Sequence, residues 1–352
     1  VARRKVVGLD IGTTHVRGAE VSYGSGGSTS TGSLGSFASV ELPHGAVRDG
    51  EVVEVEVVAS ALRTLWSRGK FSTKDVVIGI GNQRVVVRDL EVAAMPLGQL
   101  RKSLGFQAAD ILPMAADDAL MDYYPIAQGE GQNGPVLNGL FVAAVRETVE
   151  QNISAVVRAG LNPVQVDLNA FALLRALHHG ERVNRTVAYV DVGARITDIV
   201  IAQAGVPHFV RMLPAGGQDI TDAIGSVMKL NGGQAEQLKR EIGVGFAVAP
   251  GLEPAADAAT TVARSLIENV RNTVAFYTQS NPQKPVELLV LSGGGVLLQG
   301  LGQALATATR LQVTLGRAVD NLKVSRGPAA AIAEVGEQDV TIAVGLATAV
   351  AA

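Results

Sequence analysis

The sequence predicts an α/β protein made of two related lobes, with a smaller subdomain inserted into the first. Three observations carry this. Val6-Val7-Gly8-Leu9-Asp10-Ile11-Gly12-Thr13-Thr14 and Val187-Ala188-Tyr189-Val190-Asp191-Val192-Gly193-Ala194-Arg195 each end an apolar β-run on Asp-x-Gly, then continue into a second run, Val16 to Val21 and Ile199 to Ala202. Asp10 and Asp191 stand ~180 residues apart, roughly half the chain, the spacing of two homologous halves closing on one ligand. Finally, Leu288 to Leu301 runs a buried-type strand into Gly293-Gly294-Gly295, a turn that opens a helix and leaves bare backbone for a flat ring such as a nucleoside.

The hairpins have a chemical logic. A glycine directly after each strand permits positive φ and lets backbone N–H groups approach an anion with no Cβ in the way. Phosphates fit both turns, with Asp10 and Asp191 facing Mg²⁺ through its waters, because Mg²⁺ keeps much of its hydration and needs few carboxylates beside phosphate. One such hairpin alone reads as an ordinary glycine turn with a solvated Asp; the matched pair favours a phosphate clamp. The glycine-rich turn has neither the Walker pattern nor the G-x-G-x-x-G spacing, which argues against P-loop and dinucleotide folds.

Composition bounds the function. At 352 residues, two domains of ~150 residues each are expected. Hydrophobic content of 47% and charged content of 18% support a large core. A net charge of −3 and only 4% aromatics argue against a nucleic-acid partner, which needs a basic face and stacking platforms. There is no cysteine, which removes disulfides, thiolate catalysis and Cys-ligated zinc and fits a reducing cytosol. Val1-Ala2-Arg3-Arg4-Lys5 leads straight into a strand without signal-peptide features, and no apolar run reaches the ~20 residues that span a bilayer, so a cytoplasmic protein is expected.

Along the chain, Gly24 to Ser33 reads as a flexible hairpin tip. A helix is expected over Glu51 to Ser67, where Val57, Val58, Ala61, Leu62 and Leu65 share a face. Strands Val76 to Ile80 and Val85 to Leu90 follow. Residues 85–163 read as the insert: a helix from Leu100 to Ile111 stopped by Pro113, an acidic loop Asp117 to Asp122, a Gly/Gln/Asn loop, a strand Leu140 to Val145 and a helix Thr148 to Ala159 ended by Gly160. A strand Val164 to Leu168 and a helix Phe171 to His178 lead on. The second half then repeats the pattern, with strands at Val187 to Asp191, Asp198 to Ala202 and His208 to Leu213 and a helix at Ile220 to Leu230. A long helix Ala256 to Ser280, a strand Glu287 to Leu291 and a last helix from Thr341 complete it. Residues 1–84 and 164–186 thus form the first lobe, 85–163 the insert, and 187–352 the second lobe, with the C-terminal helix able to return to the first.

In this order the two hairpins, the glycine turn and Ala343-Val344-Gly345-Leu346-Ala347 resemble the actin-like (ribonuclease H-like) ATPase superfamily. Within it the chain is similar to the PilM family of type IV pilus assembly, on Gly8-Leu9-Asp10-Ile11-Gly12, Leu42 to Gly50, Asp122-Tyr123-Tyr124, Ala159-Gly160-Leu161, Val166-Asp167-Leu168 and Phe171-Ala172-Leu173. The resemblance implies an FtsA-type 1C insert and binding of ATP with Mg²⁺. Asp10 and Asp191 become the carboxylates at the metal's waters, and Gly12, Thr13, Thr14, Gly193 and Ala194 the phosphate turns. Arg17 stands where relatives have a lysine that reaches the phosphates, the alternative being a surface cation on a strand. Glu236 and Lys239 resemble the ribose and adenine pair, the alternative being a solvated i,i+3 pair. Gly217, Gly294, Gly295 and Leu297 join the nucleotide-binding set.

Asn169 stands at the position where hydrolases and kinases of the superfamily carry a carboxylate or glutamine. An amide is no general base near neutral pH, so weak or absent ATP hydrolysis is expected, with Asp167 a partial substitute. Read without the resemblance, Asn169 is a helix N-cap. The histidines form no metal pattern, and His178-His179 are expected to complement a helix dipole. Asp117 to Asp122 reads as a solvated loop rather than a metal site.

The function implied is an ATP-binding scaffold that captures the cytoplasmic N-terminal peptide of a PilN-like inner-membrane protein in a groove beside the insert, with pilus motor ATPases as further partners. A metabolic kinase of the same fold and an FtsA-like division protein are the alternatives. The tail Ala347 to Ala352 has no basic residue to anchor an amphipathic helix, so recruitment through a partner is expected.

Overall fold

The computed structural model describes residues 5–22 and 32–349. The expected tip from Gly24 to Thr31 lies outside the described residues, while Gly32 and Ser33 belong to a strand. In the first lobe, β1 (Val6–Ile11), β2 (His15–Ser22) and β3 (Gly32–Glu41) form an antiparallel meander. Its side chains alternate between two layers: Val7, Leu9 and Ile11 join one core, and Val6 with Ala19 and Val21 the other.

A two-residue hairpin, β4 (Val47–Arg48) and β5 (Glu51–Val52), precedes α1 (Val55–Gly69). Asp49 and Gly50 both have positive φ, the requirement of a tight hairpin turn, so the helix begins four residues later than its apolar face suggested. The strand β6 (Asp75–Ile80) then pairs parallel to β1.

The insert contains β7 (Val86–Ala93), α2 (Leu97–Gln107), β8 (Ala119–Gly131) and β9 (Gly134–Val145), with sheet order β7-β9-β8. Leu100 and Leu104 of α2 pack on Val92, Tyr123 and Phe141 of that sheet. The acidic stretch expected as a loop is a short 3₁₀ turn, Ala116–Asp118, running into β8, where Asp122 pairs with Arg101 at 2.7 Å. The expected Gly/Gln/Asn loop is the tight end of the β8–β9 hairpin. The helix α3 (Arg146–Arg158), expected in the insert, instead buries Ala155 and Val156 against Val58 and Leu62 of the first lobe. The chain then enters β10 (Asn162–Leu168), parallel to β6, and α4 (Asn169–Leu177).

The second lobe repeats the plan with β11 (Thr186–Val192), β12 (Thr197–Gln203) and β13 (Val206–Leu213), followed by α5 (Gly217–Met228), α6 (Gly232–Ile242) and α7 (Glu253–Ser280). After these come β14 (Leu288–Ser292), α8 (Leu301–Thr309), β15 (Gln312–Leu315), β16 (Leu322–Val324), α9 (Arg326–Val335) and α10 (Thr341–Ala347). The second sheet runs β13-β12-β11-β14-β15; the first runs β3-β2-β1-β6-β10 in the same sense, with β16 added beside β3. The span 187–352 therefore returns two elements to the first lobe, β16 and α10, because both complete its sheet and its core.

The histidines at the end of α4 do not serve its dipole. Burial lowers the pKa of both His178 and His179, so they are neutral near pH 7, and His178 Nδ1 lies 3.0 Å from the Tyr189 hydroxyl. Arg182 caps the helix instead, donating to the Leu177 carbonyl at 2.8 Å.

The C-terminal segment returns to the first lobe through α10, which lies in backbone contact with β1 and α4. A Cβ on Gly345 would sit 2.5 Å from the Ala172 carbonyl carbon, and one on Gly8 would sit 2.9 Å from the Leu346 carbonyl carbon. Gly345→Ala is expected to force these backbones apart and cost ~1–3 kcal/mol. Gly98→Ala on α2, where a Cβ meets nothing within 4 Å, is expected to leave stability unchanged or raise it by ~0.4–1 kcal/mol. Thermal melts of the two variants check the contrast; equal melting temperatures would refute the close-approach account.

Candidate functional site

The two Asp-x-Gly turns fold alike. Gly12 N–H donates to the His15 carbonyl and Gly193 N–H to the Ile196 carbonyl, both at 2.9 Å. A Cβ on Gly12 would sit 3.1 Å from the His15 oxygen, and one on Gly193 would sit 2.8 Å from the Ile196 oxygen, so a side chain would crowd both turns, the second more severely; neither glycine takes the positive φ that the sequence allowed. Both turns open on the cleft between the lobes. Thr13 and Thr14 border it half-buried, with Thr14 Oγ1 3.1 Å from His15 Nδ1. The Ala194 carbonyl accepts from Gln218 N–H at 2.8 Å, and Arg195 is drawn onto α5 by Asp219 at 2.5 Å and by Asp222.

Asp191, at the end of β11, is buried, and Asp10, at the end of β1, is partly buried and close enough for its charge to act on Asp191. Burial raises the Asp10 pKa, Arg17 opposes the rise, and Asp339 adds to it. Asp191 is pushed up to about 7, first by burial and then by Asp10. Asp198, opposite Asp191 in the β11–β12 pairing, is pushed well above the carboxylate range by burial, with Asp191 and Asp10 adding to it and a hydrogen bond from Asn169 opposing it. Arg17 is not a surface cation. Its side chain is 14% exposed, with Nη2 2.5 Å from Asp339 and Nη1 3.7 Å from Asp10.

Sequence reasoning missed Asp198 and Asp339. A signal for Asp198 existed: Arg17 pairs with Asp10 across the first hairpin as Asp198 pairs with Asp191 across the second, so the register that marks one marks the other. For Asp339, in a short turn remote in sequence, no local pattern was available.

Asn169 lies in the same region but does not cap a helix. Leu168 holds the N-cap position, and Asn169 Oδ1 is buried with no hydrogen-bond partner. A Cβ on Gly81 would sit 2.8 Å from Asn169 Nδ2 and 3.0 Å from Asp198 Oδ2, which places the amide at the cleft. Asp167 is no substitute, because one of its oxygens is held by Arg175 and the other by the Leu168 N–H. Arg17 Nε, Asn169 Oδ1, Asp191 Oδ1 and Asp198 Oδ1 are all buried without partners. Such orphans are left for water or a ligand to satisfy, and a cation carrying waters together with an anion would supply both kinds of partner. Among the described residues no three His, Asp or Glu side chains converge to hold a bare ion.

Beside this acidic centre, Gly217, Ile220, Glu236, Lys239, Arg240, Gly294, Gly295, Leu297 and Leu298 line one pocket. Glu236 and Lys239 are not a solvated pair. They lie 2.6 Å apart, and Lys239 Nζ also donates to the Gly217 carbonyl at 3.1 Å and Thr221 Oγ1 at 2.9 Å. Burial works to raise the Glu236 pKa, but hydrogen bonds from Lys239 and Thr221 outweigh it and hold the group ionised. The Gly217 N–H is committed to the Gly193 carbonyl at 2.9 Å, so Gly217 contributes shape rather than a free donor. Leu297 is 46% exposed over the pocket, an apolar surface suited to a flat ring.

Residues 8–350 match the profile of the family described as type IV pilus assembly protein PilM. The cell division protein FtsA of Bacillus subtilis (strain 168) is 20% identical over 261 residues, covering 67% of this chain and 58% of that protein, so the chain spans less than two thirds of this relative. A solved PilM-PilN type IV pilus biogenesis complex superposes with a TM-score of 0.86 and 26% identity over 99% of both chains. MreB 5 of Spiroplasma citri bound to AMPPNP superposes with a TM-score of 0.52 and 12% identity, covering 89% of this chain and 91% of that one, a likeness of fold alone. The duplicated sheets, the insert and a profile match over nearly the whole length place the chain in the PilM family, with the actin-like two-lobed fold.

Proposed function

We propose that this protein is a scaffold of type IV pilus assembly that binds ATP with Mg²⁺ between its lobes and captures the N-terminal segment of a PilN-like membrane protein. The observation that carries the partner is the 26% identity, over 99% of both chains, to a protein solved as a PilM-PilN complex. The buried orphan atoms around Asp10, Asp191 and Asp198 support the ligand. Asp10 and Asp191 would hold the ion's water shell with Asp198 beside it, the Gly12 and Gly193 turns would receive phosphate, and Glu236 and Lys239 would orient the nucleoside. Bound Mg²⁺ supplies counter-charge for the phosphates. We take the seam between the insert and the first lobe as the peptide groove. There Leu120, Ile126 and Val142 of the insert and Val164, Val166 and Phe171 of the first lobe are half-buried against one core, and the Tyr124 and Phe171 rings lie 5.3 Å apart. Along this seam β10 is an edge strand of the first sheet. No helix among the described residues is long and apolar enough to cross a membrane, which suits attachment through a partner.

At ~100 times its dissociation constant, Mg-ATP is expected to stabilise the fold by ~2.7 kcal/mol, a shift of a few degrees in a thermal melt. Asp10→Ala and Asp191→Ala are each expected to remove most of it. The Asp191 pKa is raised on folding, so its ionisation costs stability that is fully lost above about pH 7 and regained toward pH 4. Asp191→Asn is therefore expected to melt higher than wild type without ligand at pH 8, yet to lose the Mg-ATP shift. A full shift in these variants would exclude their metal role.

Turnover is expected near background, because Asn169 has no proton-accepting group to activate water, and Asn169→Glu is expected to raise it. Wild-type phosphate release on the order of 10 per second would favour the kinase reading.

Protein incubated with bare anionic vesicles is expected to stay in the supernatant, and to be retained when the vesicles display a PilN-like N-terminal segment, with micromolar affinity. Replacing residues 86–145 by a short linker, which spares α3, should abolish retention and preserve the Mg-ATP melting shift. Unimpaired capture by that variant, or strong binding to bare vesicles, would refute the proposed groove.

A further inference from the structure

Among the described residues Arg17 is the basic side chain that opposes the raised pKa of Asp10, and its guanidinium is already occupied. Nη2 donates to Asp339 Oδ1 at 2.5 Å, Nη1 lies 3.7 Å from Asp10 Oδ2, and Nε is buried with no partner. The pair stretches across the space where the two kinds of turn face each other. A Cβ on Gly12 would sit 3.7 Å from Arg17 Nη1, and one on Gly294 would sit 3.1 Å from Asp339 Oδ1. It also joins the lobes. Arg17 belongs to β2 of the first sheet, whereas the turn bearing Asp339 is fastened to the second: Gly293 N–H and Ser292 Oγ–H both donate to the Gln338 carbonyl, at 3.2 and 3.3 Å.

We infer that Asp339 is an internal stand-in for the ligand's phosphate, holding Arg17 in the ligand-free cleft and making polyphosphate binding depend on a divalent cation. The inference rests on the reading of the cleft as a nucleotide site. A carboxylate and a phosphate oxygen present the same acceptor chemistry to a guanidinium, so they compete for Arg17. Binding in the free state is reduced by the fraction of molecules in which Asp339 holds the arginine. The displaced carboxylate then stands beside Asp10, Asp191, Asp198 and the incoming anion with its counter-ion gone. A cation must enter with the phosphate to offset that charge. Asp339 is thus a positioning residue that sets when Arg17 is released, and it closes a strap between the lobes until then.

The test measures ATP and inorganic tripolyphosphate, each with Mg²⁺ or with EDTA, by calorimetry and thermal melting on the full chain. The proteins are wild type, D339N, R17M and R17M/D339N, with E337Q as a control that removes a charge from the same turn. D339N is expected to bind metal-free tripolyphosphate about tenfold tighter than wild type and to narrow the gap between metal-free ATP and Mg-ATP. E337Q should match wild type, and the gain should vanish in the R17M background, since the two residues act on one interaction. Without ligand, D339N is expected to melt lower than wild type because the strap is lost. If D339N binds as wild type or weaker, or if its gain survives in R17M, the stand-in role is overturned while the nucleotide site is not. If neither ligand binds wild type or any variant, the nucleotide reading and the stand-in role both fall.

Discussion

The structure is organised around a concentration of like charge removed from water. Asp10, Asp191 and Asp198 are brought together by the ends of two sheets, with Arg17 opposing the charge of the first two and Asp339 drawing on that same arginine. Left ionised, such a group would destabilise the fold, and the raised pKa values of all three aspartates express that tension. It persists because the surrounding frame over-determines it. The paired strands fix the carboxylates, and α10 locks the first lobe's β1 and α4 through backbone contact.

Much of this frame was legible in the sequence because it rests on local pattern. The two Asp-x-Gly motifs predicted both hairpins, and the β-branched runs predicted the strands that carry them. What escaped was set by a competing local signal or by distant partners. The helix start at Val55 was missed because Asp49-Gly50, a hairpin signal, sits against an apolar face with helical spacing. The helix α3 followed the insert in sequence, and only its packing on α1 shows where it belongs. At the site, the turn residues and the Glu236–Lys239 pair could be named from motif, whereas Asp339 reaches Arg17 through a contact spanning most of the chain.

The insert occupies a distinct mechanical position. Its sheet carries its own small core around Phe141, so it holds its shape apart from the lobes. Its outer strands nevertheless border both, through the Tyr124–Phe171 contact on one side and, on the other, Asp89 near His208, where the carboxylate opposes the lowering of the imidazole pKa by burial. A partner engaging that seam touches the frame without entering the charged cleft.

The matched pairings of the two hairpins have one more consequence. Two identical hairpins related by a twofold axis would offer the same charge to both ends of whatever lay between them, and a bound molecule would have no reason to choose a direction. Here equivalent register positions carry an arginine, Arg17, and an aspartate, Asp198. The duplication supplies the enclosure, and the departure from symmetry at this one pair of sites gives it polarity.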